Sequence, residues 1–450
     1  MRQAAVAAAV PIALTLCALA RPVAASPEDI FGYGDRSPAM GGTGVAWSEG
    51  FEAAYTNPAL LSRIRRFKLT LGYEAASFDL HADGAQLPGA LSYDSMRSVI
   101  IGADLPIPLG GVLKNRLGAA LALSTPTDLV VRGHVPYPEV AQYPLLPDRA
   151  QSVTVRAGLG LDLGWGLRIG GGFAALAQLE GGAVVGTDAT GHVGANVQDQ
   201  LVATYSPTIG ISFDLPLEDG EATRLGVTYR GELAARVDVT IDARHLSSLN
   251  LPVFTIAGLA QYDPMEVAFE AARTFGPLLI AAGATYKHWS AYPGLLSAAL
   301  PCPADDPSCG ALVPPKIAFK DTIVPRLGLE YRLAPSRALE IPLRLGALYE
   351  PTPLPSRLPS SQAFDLVAAR TVDVPTRYFD ANRLAITAGC GVALHGPLPP
   401  ITIDAYGQVH ALFERTQESD AQDTPAGPVR SVGHASGTVL AAGILAGVAF

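Results

Sequence analysis

Charge is scarce in this chain: only 16% of its 450 residues are Asp, Glu, Lys or Arg, against about 25% in soluble domains. The charge present is acidic, with a net value of −9 and a pI near 5.4. No nucleic acid is expected as a partner, because such a binder carries a basic stripe. Disorder is excluded too, since 49% of the residues are hydrophobic and disordered chains have few such residues. Glycine (46) and proline (37) are frequent but far from the periodic third of collagen. The eight histidines show no His-x-x-x-His spacing, so neither a metal nor another cofactor is expected. Long apolar runs are missing beyond the first 25 residues. The longest, Thr438 to Phe450, has 13 residues, short of the ~18 that a membrane helix needs.

Residues 1–25 read as a secretory signal. Arg2 gives the positive start, Ala4 to Ala20 the apolar stretch, and Val23-Ala24-Ala25 the small-residue cleavage site. Its removal takes two arginines and no acids, which moves the charge from −9 to −11. An exported, apolar chain without a membrane helix has one other way to span a bilayer, a closed barrel whose strands satisfy each other's backbone groups.

The barrel's sign is alternation repeated many times. Phe67, Leu69, Leu71 and Tyr73 alternate with Lys68, Thr70, Gly72 and Glu74, and Leu225, Val227 and Tyr229 with Gly226, Thr228 and Arg230. Such segments predict strands at 67–80, 93–105, 115–132, 151–163, 167–178, 199–215, 223–241, 263–274, 278–290, 320–333, 340–351, 380–395, 399–415 and 432–450. Fourteen is even, as bacterial barrels require. Connections of 12–29 residues alternate with connections of 3–9, the pattern of long outer loops and short periplasmic turns. The expectation is an all-β fold: a transmembrane antiparallel barrel over 67–450, in a Gram-negative type outer membrane, with that membrane's lipid around it.

Residues 26–66 do not alternate. They hold Gly32, Gly34, Gly41, Gly42, Gly44 and Gly50, which let backbone approach backbone closely. The segment is either a flexible periplasmic arm or a plug in the lumen. Ala39-Met40-Gly41-Gly42-Thr43-Gly44-Val45-Ala46, followed by Ala53-Ala54-Tyr55-Thr56-Asn57-Pro58-Ala59, resembles the N-terminal hatch of the FadL family. Tyr286-Lys287-His288-Trp289-Ser290, Arg326 to Arg332, Tyr349 to Pro353 and Asp380 to Arg383 are similar to that family in order along the barrel. These are outer-membrane channels for long-chain fatty acids and other hydrophobic molecules. The resemblance implies a barrel of fourteen strands and a hatch over 26–66 that rearranges when ligand binds, with Gly41, Gly42, Asn57, Pro58 and Ala59 at the gate.

The residues allow part of this independently. Asn57 before Pro58 is biased away from helix, and its side chain can bond its own backbone in a tight turn. In the third strand Ser124-Thr125-Pro126 interrupts the run from Leu117 to Val131, and a strand proline marks a bulge or kink. The resemblance implies an inward kink that opens the wall toward the membrane; the alternative is a plain bulge near the rim. After the seventh strand, Leu249, Leu251, Val253, Phe254, Ile256 and Leu259 form an apolar run. It is either an inward-folding cap or a capture site for ligand, with Leu251, Phe254, Ile256 and Leu259 as the candidate contacts. Cys302 and Cys309 are placed to staple a loop by a disulfide, which an exported environment permits. Arg156, Arg168 and Arg230 face the lumen, either for a carboxylate head or for structural ion pairs.

Catalysis is not expected. His434 and Ser436 are similar to the pair of outer-membrane phospholipases, yet no adjacent strand offers a third group to orient the histidine. Phe450 ends a strand of outward-facing apolar residues and resembles the signal read by the barrel-assembly machinery. The expected protein is a monomeric, porin-like channel for passive uptake of a hydrophobic small molecule. The alternative is a non-transport barrel of the same family that docks a secretion or surface-assembly machine.

Overall fold

The computed structural model describes residues 27–84, 87–127, 138–147, 153–187, 193–216, 222–245, 254–294, 297–299, 316–365, 370–395, 399–424 and 427–450. Fourteen strands form a closed antiparallel barrel. They are β1 (Lys68–Gly84), β2 (Met96–Pro106), β3 (Leu117–Pro126), β4 (Thr154–Gly164), β5 (Leu167–Thr187), β6 (Val193–Pro216) and β7 (Ala222–Arg230), then β8 (Glu266–Phe275), β9 (Leu278–Lys287), β10 (Thr322–Ser336), β11 (Leu339–Glu350), β12 (Arg383–Leu394), β13 (Ile401–Thr424) and β14 (Gly427–Ala449). Each pairs with the next, and β14 returns to β1 from Lys68–Ala449 to Gly84–Gly433. The sheet therefore has no edge, and its backbone groups need no solvent.

The two faces are inverted relative to a soluble protein. Leu71, Ile323 and Ile386 are each about 60% exposed on the outer face, while Glu74, Glu270, Lys287 and Glu330 are buried on the inner one. Among the described residues no helix is long and apolar enough to cross a membrane. The apolar outer face therefore matches the hydrocarbon of a bilayer, and the period of two sends each strand's polar residues into the lumen.

All fourteen expected strands are present, but three connections differ from the sequence reading. β5 and β6 keep one register from Leu167–Phe213 to Thr187–Val193, and β13 and β14 pair as far as Thr424–Gly427. Two expected loops are thus tall ribbons, in which the backbone groups satisfy one another. The seventh strand, expected over 223–241, breaks at Gly231. Its N–H donates to the Pro207 carbonyl at 2.9 Å, and a Cβ there would lie 2.8 Å from the Pro207 ring. The strand Leu233–His245 then leaves the ring, pairing in parallel with β5 and antiparallel with Phe254–Asp263.

Ahead of β1 the chain is compactly wound: α1 (Pro27–Phe31), α2 (Ala53–Thr56) and short 3-10 turns at Pro38–Met40, Gly50–Glu52 and Pro58–Arg63. Nearly all of its side chains are buried. Their partners are inward-facing groups on strands around the ring. Above it, at the end with the long connections, two apolar clusters gather. One joins Tyr262, Trp289, Tyr292, Phe319, Leu354 and Tyr378; the other joins Phe78, Leu80, Met96, Tyr143, Leu146 and Phe379.

Candidate functional site: the enclosed segment and the lumen

Asn57 makes the turn expected of it and also more. Its Oδ1 accepts from the Ala59 N–H at 3.1 Å, while Nδ2 donates to the carbonyls of Val45 at 2.6 Å and Ile211 of β6 at 3.0 Å. One amide thus closes the Pro58 turn, ties it to the glycine-rich stretch and fastens both to the wall. Pro58 and Ala59 lie against Gly160 and Gly170, where a Cβ would run into their backbone. Gly41 (φ +67°) is equally close to β10 and β11: a Cβ would lie 2.8 Å from the Leu327 carbonyl oxygen and 2.7 Å from that of Ala347. Gly42 (φ +70°) faces Arg326. The wall glycines form a seat that the sequence held in plain view. Their meaning depends on which strand residues stand at the same height.

Charge holds the rest. Arg36 donates from Nη2 to Glu330 Oε1 at 2.8 Å and stacks 4.5 Å from the Trp47 ring. Glu330 also receives Arg344 at 2.8 Å, and Arg344 reaches Asp404 at 2.6 Å. Glu270 accepts from the N–H groups of Gly44 at 2.9 Å and Ala46 at 3.0 Å. Lys287 is fully buried and bonds Asp29 of α1 at 2.6 Å and Glu350 at 2.7 Å; Glu350 also receives Arg383. Charges with several close partners can remain ionised inside a protein, whereas breaking such a pair leaves an uncompensated charge. Within the segment, burial pushes the Glu52 carboxyl up to about 8, with Asp35 adding to the rise and Arg36 opposing it.

The three arginines read from the sequence are all paired. Arg156 stands 3.5 Å from Glu28, Arg168 donates to Asp214 at 2.7 Å, and Arg230 lies 2.6 Å from Glu266. Arg156 and Arg230 also flank the Tyr55 ring, at 4.6 and 4.5 Å from its centroid. The structural ion-pair reading therefore describes them in this state.

At the third strand, β3 pairs with β2 without a register shift as far as Pro126–Ser98. Among the described residues its ladder with β4 runs to Ser124–Thr154, and residues 148–152 lie outside them. Ser124 is buried, and Thr125 and Pro126 continue the ladder with β2. At this last rung Thr154 donates to Glu28 Oε1 of α1 at 2.7 Å. The segment thus touches the wall at the last described rung between β3 and β4.

Phe254, Ile256 and Leu259 belong to a paired strand and not to an open loop; Leu251 lies outside the described residues, as do Cys302, Cys309 and the signal. Cys390 is free and exposed. Phe450 is two-thirds exposed, its ring 6.0 Å from Phe67. His434 does have a carboxylate neighbour on β13, Glu414 at 3.7 Å. That pair is exposed, and no hydrogen bond joins His434 to Ser436. Among the described residues no group of His, Cys, Asp and Glu is placed to hold a metal ion.

Two cavities adjoin the apolar clusters. One, between Tyr55, Arg156, Arg230 and Leu233, holds about 20 Å³; the other, between Leu145, Trp289, Asp380 and Leu412, about 30 Å³. Each has room for little more than a water. At the opposite end a cavity of about 300 Å³ lies between the segment and the wall, lined by Asp35, Arg36, Glu49, Lys68, Asp104, Arg332 and Asp404.

No family model matches the sequence, and no curated protein matches it. Solved structures do share the fold. A Pseudomonas aeruginosa FadL homologue superimposes with a TM-score of 0.58 at 15% identity, covering 92% of this chain and 96% of that one. The P. putida toluene transporter TodX gives 0.51 at 14% identity, with 94% and 99% covered. A TodX deltaS2S3 mutant, described as a monoaromatic hydrocarbon channel, gives 0.52 at 14% identity, with 94% and 100% covered.

Proposed function

We propose that this chain is an outer-membrane channel of the FadL type for passive uptake of a hydrophobic small molecule, and that the enclosed segment is its hatch. One observation supports the reading: apolar clusters lie beside a segment that charge pairs and close packing fasten to strands around the ring. The cavities beside the apolar clusters, among the described residues, are too narrow for such a solute. A solute larger than water enters only if side chains of the cap give way, and passes only if the segment shifts.

The pairing of Arg156, Arg168 and Arg230 favours a neutral solute over a fatty acid. A carboxylate head would have to displace Glu28, Asp214 or Glu266 from its partner, leaving a buried charge unmatched. A neutral hydrocarbon gains from the aromatic cap without that cost. Exit is lateral, between β3 and β4 beside Pro126, where α1 bonds Thr154 at the last described rung, Ser124–Thr154. Movement of α1 would release that rung, and the wall beside Pro126 would admit the solute to the lipid.

Uptake by cells that lack the native channel and express this one tests the reading. A neutral aromatic should enter faster than in cells with the empty vector, and an equal concentration of long-chain fatty acid should compete poorly. Equal competition would remove the neutral preference. No uptake of either solute by a folded barrel would remove the transport reading and leave the docking alternative.

A further inference from the structure

Among the described residues, the two most exposed large apolar side chains lie in neighbouring turns at the end with the short connections. The turn between β2 and β3 carries Val112, 79% exposed, with Leu109 and Leu113 beside it. Gly111 (φ +64°) and Asn115 (φ +56°) bend the chain so that the turn stands clear, and a Cβ added at Gly110 or Gly111 would meet nothing within 4 Å. The neighbouring turn, between β4 and β5, ends in Trp165, which is 95% exposed. Trp165 itself sits at φ +52° between Gly164 (φ +89°) and Gly166 (φ +80°). A bulky residue in the left-handed region is an outlier, which motivates a search for its role. By contrast, the turn between β10 and β11 at the same end is Ser336-Arg337-Ala338.

These turns continue an apolar wall. Leu105 at the foot of β2, Leu163 at the foot of β4 and Ile169 in β5 all face outward and are about 40% exposed. Cations accompany the apolar residues: Lys114 is exposed, and the Arg116 guanidinium lies against Gly164, next to Trp165. Neither side chain has an ion-pair partner among the described residues. Tryptophan concentrates where hydrocarbon meets headgroups, and basic side chains at that depth attract anionic lipid.

We infer that the β2–β3 and β4–β5 turns form a foot that binds the anionic phospholipid of the inner leaflet, with Trp165, Val112 and Leu113 at the acyl boundary and Lys114 and Arg116 at the phosphates. The inference rests on the membrane-barrel reading. It adds a fixed lipid contact on one side of the ring, below the strand that carries Pro126.

Tryptophan fluorescence isolates the foot, because the other two tryptophans, Trp47 and Trp289, are at most 1% exposed and the full-length Trp165→Phe protein supplies their signal for subtraction. The barrel is reconstituted in phosphatidylcholine vesicles containing a minor fraction of phosphatidylglycerol, brominated high on its acyl chains. Trp165 should be quenched at least twofold more than by the same fraction of brominated phosphatidylcholine, and iodide present on both sides should quench it little. Lys114→Gln with Arg116→Gln should abolish the twofold preference while leaving heat-modifiable mobility unchanged. Strong quenching by iodide and none by either bromolipid would overturn the foot, and would point to a surface facing water or a soluble partner. Equal quenching by the two bromolipids would overturn the anionic choice. A tryptophan placed mid-wall by Phe173→Trp, in the Trp165→Phe background, keeps the premise separate. If it is quenched by bromolipid and Trp165 is not, the foot fails alone; if neither is quenched, the membrane-barrel reading fails.

Discussion

The two ends of the lumen are built from opposite materials. At the end with the long connections Tyr262, Tyr292 and Phe319 stack at ring distances of 4.5 and 4.8 Å, and little space remains among them. At the other end about 300 Å³ stays open, lined mostly by charge. An apolar solute gains by entering the first and loses by crossing the second, because charged walls hold water that the solute must displace. Under the proposed function, direction would come from composition, with no energy source, and the proposed exit through the wall would avoid the charged end.

The largest test of this contrast is Lys287, which joins the segment's α1 to β11. Lys287→Met leaves Asp29 and Glu350 with one partner fewer inside the barrel, a loss of about 3–5 kcal/mol. The N-terminal segment should become cleavable by added protease while the barrel keeps its heat-modifiable mobility. Full protection of the segment would mean that the cap, and not the charge pairs, retains it. Next in size, Pro126→Val restores a backbone donor and favours extension of the β3–β4 ladder beyond Ser124–Thr154. Uptake of a hydrophobic solute should fall several-fold in the folded variant, with binding to whole cells little changed. Normal uptake would reopen the axial path across the charged end.

A third test concerns pH at that charged end. Burial raises Glu52 to about 8, above the ordinary carboxylate value it has when the chain is unfolded. The folded segment thus binds a proton that the unfolded one has lost, so its stability is fullest in acid and declines as pH rises toward 8. Amide exchange at Arg36 and Ser37, whose N–H groups both point to Glu52 Oε2 at 3.3 Å, should speed up over that range. Glu52→Gln should flatten the dependence; an unchanged slope would assign it to another group. The smallest effect on the folded state belongs to Phe450, whose N–H bonds the Phe67 carbonyl at 2.7 Å. Its deletion should change the folded barrel by about 1 kcal/mol, yet lower the folded yield far more if assembly machinery reads the terminal residue. Unchanged yield would remove that role.

The strands were legible because one rule produces them: a wall with lipid outside and a packed lumen inside must alternate, as in Leu69-Thr70-Leu71 of β1. The rule stops where the bilayer stops. Above it the alternation of β5 and β6 carries no information about which face meets lipid, and the ribbon over Thr187–Val193 could not be told from a loop. The break at Gly231 was hidden for a different reason, since its cause is the ring of Pro207 on the adjacent strand. The Asn57-Pro58 turn is local and could be read. Its seat on Gly160 and Gly170, and the partners of Arg36 and Lys287, join residues far apart in the chain, and no spacing in the sequence marks them.

One feature of the enclosed segment governs the order of events during assembly. Arg36 is bonded to a residue 294 positions later, and Phe31 to Gln408, 377 positions later. Several of the contacts that hold the N-terminal segment are therefore made only with the last third of the chain. Contacts of such long range must await closure of the intervening chain, which slows folding. The segment remains without these partners until β10 to β13 arrive, and as the proposed hatch it would have to be in place before the β1–β14 seam shuts. Seam closure and capture of the segment are thus one step in time. A variant that delays the segment would trap an open, unfilled sheet.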